Sequence, residues 1–341
     1  DKPDPELQRA QEVATILQSS HNKIQFQPLD ITILPEIICQ YDQPFNVFPM
    51  LYANQLAENV SSKVKVVLGG NGADEIFGGY TGYNTQMILP KFFPVARVIP
   101  SWAIERLPEK LKQKVNNIKK VCKLPIEQIR GTILNTGGLV VASTLFNNEA
   151  LKGYLDYFPG KYINNYAAEC SPRDYLDTVL YTDLMVYHQH GTTTLSDASG
   201  MWYGLEIRAP FLDHRLVEFA ASLPRYMTVP SVFQPQNNKL IMKRALEKYL
   251  PPRLIYANKM GFGYNIQYQK LLNGQWASMV REFLLNGDYL ELGIFSPTGV
   301  KWALDNSPAH VWMLLVFSIW SDIYLFGNNV EDLKLKILSS V

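Results

Sequence analysis

Three classes of protein are excluded by what this sequence has little of. Its three cysteines, Cys39, Cys122 and Cys170, are too few and too far apart for a disulfide framework or a zinc site, and are interpreted as free thiols. Its charge is nearly balanced, with 32 basic and 31 acidic residues, so no nucleic-acid partner is predicted. Its longest strongly apolar run, Val311–Trp320, is shorter than the roughly 20 residues that span a membrane, and predicts a buried core helix.

The start of the chain, DKPDPELQ, lacks an initiator methionine and also the basic and apolar stretches of a signal peptide. We therefore expect a cytoplasmic protein with no membrane partner, whose sequence begins inside something larger or has been trimmed.

Helices and short apolar strands alternate over the first 90 residues. Lys23–Pro28 has the alternation of a strand, and Leu34–Tyr41 and about 49–59 are predicted helices. Val64–Leu68 is predicted to be a buried parallel strand, because it is short and mostly apolar. This order predicts the beginning of a doubly wound α/β fold.

The remainder of the chain, 91–341, is predicted to be mainly helical. Ser171–Asp174 is a capping box that opens a helix to about residue 191, Asp213 begins another helix, and Lys239–Leu250 is a third. The basic stretch Lys110–Lys123 is interpreted as a helix face turned to water, in preference to a binding patch.

The strongest local signal is VVLGGNGADEIFGGY, residues 66–80, in which a strand runs into Gly69, Gly70 and Gly72 and then into Asp74. Glycines there let a ligand approach the backbone closely, and acidic side chains beside them suit a magnesium ion that bridges phosphates. Spacing alone leaves two interpretations open: a nucleotide loop, or an ordinary glycine-rich turn with solvated acids.

Two longer segments, 204–224 and 238–262, bear on that choice. The first contains Glu-x-Arg-x-Pro-Phe-Leu-Asp at 206–213, and the second contains Lys239, Lys259 and Gly261-Phe262. With Gly69–Glu75 and Phe77–Tyr80, they resemble the synthetase domain of the asparagine synthetase B family. This family includes the glutamine-dependent asparagine synthetases, the β-lactam synthetases and the lasso-peptide cyclases. The three motifs occur in the family's order and the resemblance covers nearly the whole chain.

The resemblance implies one domain over 1–341, with an adenine-nucleotide alpha-hydrolase-like, PP-loop ATPase type of sheet in 1–90 and a helical part in 91–341 that completes the site. It implies ATP and Mg²⁺ as cofactors and an acyl-adenylate intermediate. By this analogy Asp74 lies near the metal, Lys259 supplies a catalytic cation, and Gly69, Gly70 and Gly72 line the nucleotide.

The sequence departs from the family pattern in several places. The PP-loop, Ser-Gly-Gly-x-Asp-Ser, is absent, and so are the first strands of the sheet and the glutaminase domain with its terminal cysteine. We expect this to leave an apolar sheet edge exposed. Asn71 stands at a catalytic position where asparagine synthetases carry a glutamate. In the run 188–200, HQHGTTTLSDASG, residues Thr193 to Ala198 replace most of a Lys-Val-Asp-Arg-like run and leave Asp197.

These departures leave three hypotheses. The first is synthesis of asparagine from aspartate in an intact parent protein, with the missing N-terminal segment or glutaminase domain as partner and a homodimer as one possible assembly. The second is a β-lactam-synthetase-like or lasso-peptide-cyclase-like amide ligase, which would account for Asn71. The third is a catalytically dead or split remnant that acts as a subunit.

Overall fold

A computed structural model describes residues 5–27, 30–157, 160–258 and 273–339, and most of them are helical. The helices before and around the first strand, β1 (Val66–Leu68), are α1 (Pro5–Ile16), α2 (Leu34–Tyr41), α3 (Met50–Ser61), α4 (Ala73–Phe77) and α5 (Gly82–Ile88). The middle of the chain forms α6 (Phe93–Val98), α7 (Ser101–Glu105), α8 (Glu109–Val121), α9 (Ile126–Leu145), α10 (Asn148–Tyr157), α11 (Gly160–Glu169), α12 (Tyr175–Thr182) and α13 (Thr194–Trp202).

After the second strand, β2 (Glu206–Arg208), come α14 (His214–Ser222), α15 (Arg225–Thr228), α16 (Leu240–Leu246), α17 (Pro252–Ile255), α18 (Ala277–Asn286), α19 (Pro297–Asn306), α20 (Pro308–Tyr324) and α21 (Val330–Ser339). Short 3₁₀ helices cover Ile31–Ile33, Leu89–Phe92, Pro210–Leu212, Pro235–Asn237 and Asp288–Leu292. The chain is thus mainly helical around a small parallel sheet, consistent with an α/β fold.

The sheet of the described residues consists of β1 and β2, paired in parallel with Val66 opposite Glu206. The parallel strand predicted at Val64–Leu68 is confirmed, but the prediction that it is buried is wrong. Leu68 is 74% exposed and Val66 42% exposed, and among the described residues β1 has a neighbouring strand on one side alone. This agrees with the expectation of an exposed apolar sheet edge.

The strand predicted at Lys23–Pro28 is wrong over the residues described. Residues 21–27 have no regular secondary structure, and Pro28 lies outside the described part of the chain. A strand requires a hydrogen-bonded neighbour, and alternation alone does not supply one. Phe26 instead packs against Tyr52 of α3, with ring centroids 5.0 Å apart.

The largest apolar core joins the N-terminal helices α2 and α3 to the C-terminal helices α18–α21. Trp312 of α20 lies at its centre, packed edge-on against Phe48 with a centroid distance of 4.7 Å. The core helix predicted at Val311–Trp320 is confirmed. Among the helices described, none combines the length and the apolar character needed to cross a membrane.

The helix predicted from the Ser171–Asp174 capping box forms, but it begins three residues later than predicted, with Asp174 instead of Ser171 as its N-cap. The Asp174 carboxylate accepts a hydrogen bond from the Asp177 N–H, and α12 follows at Tyr175. The next residues, Asp183–Thr193, adopt a π-helix that leads into α13, which the sequence did not predict. π-Helices are rare in proteins, and those that do occur are frequently found at functional sites.

Candidate active site

A cavity of about 710 Å³ opens beyond the carboxyl end of β1, between α3, the glycine turn and the π-helix. Its α3 side is apolar, while its other side carries polar groups from the turn, the π-helix and α13. The apolar wall contains Ala53, Leu56, Val60, Val67 and Ile207, and the polar wall contains Asn71, Asp74, Tyr80, Thr192 and Ser196. Ligands in open α/β sheets bind at this position, outside the carboxyl ends of the strands.

The glycine turn packs against Leu212, which belongs to the motif at 206–213. Gly72 has a φ of +89°, and a Cβ there would lie 2.3 Å from Cδ2 of Leu212. Glycine is therefore required both by the backbone angle and by the packing. Gly70 is different, since a Cβ at this residue would meet no atom within 4 Å. The backbone at Gly70 is therefore open to a ligand in the cavity.

Asp74, the second residue of α4, forms an ion pair with Lys239. Oδ1 of Asp74 lies 2.9 Å from Nζ of Lys239, and both side chains are about one-quarter exposed. Gly79 makes the contact possible, because a Cβ there would lie 1.8 Å from the same Oδ1 and 2.1 Å from Cε of Lys239. Lys239 itself has a φ of +58°, an uncommon angle for a residue with a side chain.

Behind Asp74 lies a buried polar cluster around Glu75. The Tyr80 hydroxyl donates to Glu75 Oε1 at 2.7 Å, and Nδ1 of His188 lies 3.4 Å from the same oxygen. Burial would raise the pKa of Glu75, but the contacts with His188 and Tyr80 outweigh it and hold this pKa below its usual range. Burial and the Glu75 carboxylate both raise the pKa of Tyr80. Glu75 is thus an ionised acceptor that fixes the Tyr80 hydroxyl.

A second cavity of about 320 Å³ lies on the other side of Tyr80 and Tyr187, whose rings pack edge-to-face. Arg130 and Asp183 line it and form an ion pair of 2.6 Å. Burial raises the pKa of Asp183, and Arg130 offsets only part of this rise. The two tyrosines therefore lie between the two cavities and line both of them.

Asn71 contacts the part of the chain in which the family pattern changes most. Its Nδ2 donates to the Ser196 hydroxyl at 2.7 Å, and this hydroxyl donates to the Thr192 carbonyl at 3.1 Å. A glutamate at position 71 has no N–H to donate, so it could not make this bond. The two departures of the sequence, Asn71 and the run 188–200, are therefore adjacent in space.

The structure places most of the predicted site residues around one cavity. Gly69, Gly70, Asn71, Gly72 and Asp74 all line the large cavity. The catalytic role predicted for Lys259 concerns a residue outside the described residues, which resume at 273.

Other residues at the site received no role from the sequence. Lys239 was quoted in a motif, but its contact with Asp74, 165 positions away in the chain, cannot be read from spacing. The contact of His188 with Glu75 likewise depends on the fold, and within the described ranges no group of three or more metal-binding side chains occurs. Glu206 and Arg208 form an exposed ion pair, at 2.8 Å.

Comparison with known proteins identifies the family. The asparagine synthase family model matches residues 1–322, and the chain belongs to this family. The protein named "Putative asparagine synthetase (glutamine-hydrolyzing)" of Mycobacterium tuberculosis is 26% identical over 327 residues, which are 89% of this chain and 46% of the relative.

Two further relatives are "Asparagine synthetase (glutamine-hydrolyzing) 1" of Bacillus subtilis and "Amidase chyE" of Penicillium rubens. The first is 24% identical, with 85% of this chain and 45% of the relative covered. The second is 24% identical, with 61% and 33% covered. The chain spans about half the length of the asparagine synthetases that it matches.

Proposed function

We propose that this chain carries the ligase part of an ATP-dependent, amide-forming enzyme. A substrate carboxylate oxygen attacks the α-phosphorus of ATP and pyrophosphate leaves; an amine then attacks the acyl carbon and AMP leaves. The observation that carries the proposal is the position of the glycine turn and of Asp74 on one wall of the cavity, with Lys239 paired to Asp74. Family membership supports the same chemistry.

The charged pair suits a departing pyrophosphate and a magnesium ion. Mg²⁺ is held in such sites by one or two carboxylates together with substrate phosphates, so a single carboxylate at Asp74 fits this role. The ion would neutralise the charge that develops on the pyrophosphate. Lys239 is the described cation beside Asp74, and we assign it to the phosphates. Lys259 remains a second candidate for this task.

The glycines provide room for the nucleotide. Gly69 donates its N–H to the Arg208 carbonyl at 2.8 Å, so it serves mainly to extend the sheet. Gly70 and Gly72 lie one step further into the cavity, where the backbone at Gly70 is uncovered. We therefore assign contact with ATP to Gly70 and the shape of the turn to Gly72.

We also propose that the site is completed by a strand and PP-loop supplied from outside this sequence. Two observations support this. One edge of β1 has no strand beside it among the described residues, and Val67 of β1 lies in the apolar wall of the cavity. An unpaired edge beside an apolar wall suits an added strand. We expect little activity from this chain alone.

Aspartate is the first candidate for the carboxylate substrate, which would make the product asparagine. A second candidate function is amide ligation of another carboxylate, as in β-lactam synthetases or lasso-peptide cyclases. The observation that favours it is the hydrogen bond from Asn71 to Ser196. A neutral amide there cannot take up a proton or hold a substrate ammonium group by its charge.

The test is ATP–pyrophosphate exchange by the protein expressed from its complete natural reading frame, with Mg²⁺ and a panel of carboxylates. Aspartate-dependent exchange that is lost in Asp74→Asn and kept in the exposed control Asp305→Asn would support asparagine synthesis. Exchange with another carboxylate would support the second candidate. Tight binding of magnesium-ATP without any exchange would contradict a ligase and favour a subunit without catalysis.

A further inference from the structure

The segment from Met87 to Leu124 has a charge unlike that of the rest of the molecule. It contains nine basic and two acidic residues, a net charge of +7, which leaves −6 for the remainder of a chain whose total is +1. The segment forms α6, α7 and α8 with the 3₁₀ turn before them. A concentration of one sign on neighbouring helices creates a field that attracts anionic partners.

The first helices of this segment also turn large apolar side chains to water. These exposed residues are Phe92, Val95, Val98 and Trp102, with Val98 78% and Trp102 63% exposed. The inner side of α6 is occupied by Phe93 and Ala96, which pack towards the core. α6 therefore has a second apolar face that the fold itself does not use. Exposed apolar patches of this kind mark interaction surfaces.

Hydrogen bonds to backbone carbonyls fix the basic helix α8 beside these apolar residues. Lys119 Nζ donates to the Ile99 carbonyl at 2.7 Å, and Arg97 Nε donates to the Cys122 carbonyl at 3.0 Å. The Arg106 guanidinium carbon lies 5.1 Å from the centre of the Trp102 ring. Cations are thus held next to the apolar face.

Exposed lysines extend this surface at Lys91, Lys120 and Lys123. Of the two acidic residues in this segment, Glu105 is the one whose side chain the structure describes. It forms an ion pair with Lys112 at 2.5 Å. The basic apolar patch is defined as Phe92, Val95, Val98 and Trp102 with Lys91, Arg106, Lys120 and Lys123.

We propose that the basic apolar patch binds the surface of an anionic lipid membrane. Aromatic and aliphatic side chains enter the region between headgroups and acyl chains, while Lys and Arg contact the anionic headgroups. Binding to a membrane surface requires no matching pocket, and the residues of the patch line neither of the two cavities described above. The absence of a spanning helix among those described is compatible with binding at the surface. The sequence analysis predicted no membrane partner because the chain has no apolar run long enough to span a membrane, and that argument does not address binding at the membrane surface.

The test is sedimentation of the chain with vesicles of phosphatidylcholine, alone or with about one-quarter phosphatidylglycerol, at low salt and at about 0.5 M salt. The variants are Val98→Ser with Trp102→Ser, and Lys120→Glu with Lys123→Glu. Matched controls elsewhere are Phe233→Ser with Leu335→Ser, and Lys248→Glu with Lys301→Glu, all at exposed residues.

Binding should occur on the anionic vesicles, fall at high salt, and drop by roughly tenfold or more in each patch variant, while the control variants bind as the parent does. Absence of binding to anionic vesicles, or binding that both patch variants retain, would overturn the proposal. Binding to soluble polyglutamate without binding to vesicles would also overturn it, in favour of an acidic protein partner. Sedimentation without lipid measures aggregation and is subtracted.

Discussion

The apolar residues of the C-terminal core and those of strand β1 differ in what covers them. Leu315 and its neighbours in α20 are excluded from water by helices from both ends of the chain. Leu68 in β1 is equally apolar but largely exposed, at the mouth of the cavity. The core is complete within this chain, whereas the edge beside the candidate site is uncovered. Stability and site completion therefore depend on different parts of the molecule.

The largest effect should come from a matched pair of leucine substitutions in these two regions. Leu315→Ala removes a fully buried side chain and should lower the free energy of unfolding by about 3–5 kcal/mol. Leu68→Ala removes an exposed side chain and should change it by less than about 0.5 kcal/mol. Urea unfolding measures both. Equal losses would mean that β1 is covered in solution, for example by a second copy of the chain.

Gly79→Ala should break the charged pair at the site without removing a charge. The new Cβ would collide with Asp74 and Lys239, and a displacement of about 1 Å at a reacting centre can reduce the rate by roughly 100-fold. Gly82→Ala is the control, since a Cβ there meets no atom within 4 Å. ATP–pyrophosphate exchange by the complete protein measures the effect. Unchanged exchange in Gly79→Ala would show that the reaction does not depend on the ion pair between Asp74 and Lys239.

The elements predicted correctly from the sequence are those determined by local patterns. α2 follows from apolar spacing and α14 from its Asp213 cap, whose carboxylate accepts from the Arg215 N–H. The π-helix has no comparable signature. The pairing of Asp74 with Lys239 depends on the fold bringing distant segments together. The predicted strand near Lys23 failed because alternation supplies no strand to pair with.

Asp322 is a charged residue next to the apolar core. It is fully buried, and neither of its carboxylate oxygens has a hydrogen-bond partner among the described residues. Burial raises its pKa from 3.8 to about 6; Lys336 opposes the rise and Asp288 adds to it.

Because the pKa is higher in the folded state, the contribution of Asp322 to stability should be most favourable below about pH 4 and should decline as the pH rises towards 6. Above about pH 6 this contribution to the free energy of unfolding should stay about 1–3 kcal/mol lower than it is below pH 4.

Asp322→Asn should remove this decline, and unfolding measured between pH 4 and 7 checks it. The control is Asp305→Asn, because Asp305 is exposed and paired with Arg281 at 3.0 Å. The same difference in stability between pH 4 and pH 7 in the parent protein and in Asp322→Asn would contradict the assignment.

The smallest effect concerns the contact between Asn71 and Ser196. A double-mutant cycle with Asn71→Ala and Ser196→Ala should give a coupling of about 0.5–1.5 kcal/mol in urea unfolding, the usual net value of one hydrogen bond. Asn71→Glu should lose the same coupling, because a carboxylate cannot donate to the hydroxyl. If Asn71→Glu instead kept the coupling, Ser196 would have to turn its proton from the Thr192 carbonyl towards residue 71. The amide would then not be specifically required at this position, and the argument for a substrate other than aspartate would lose its structural support.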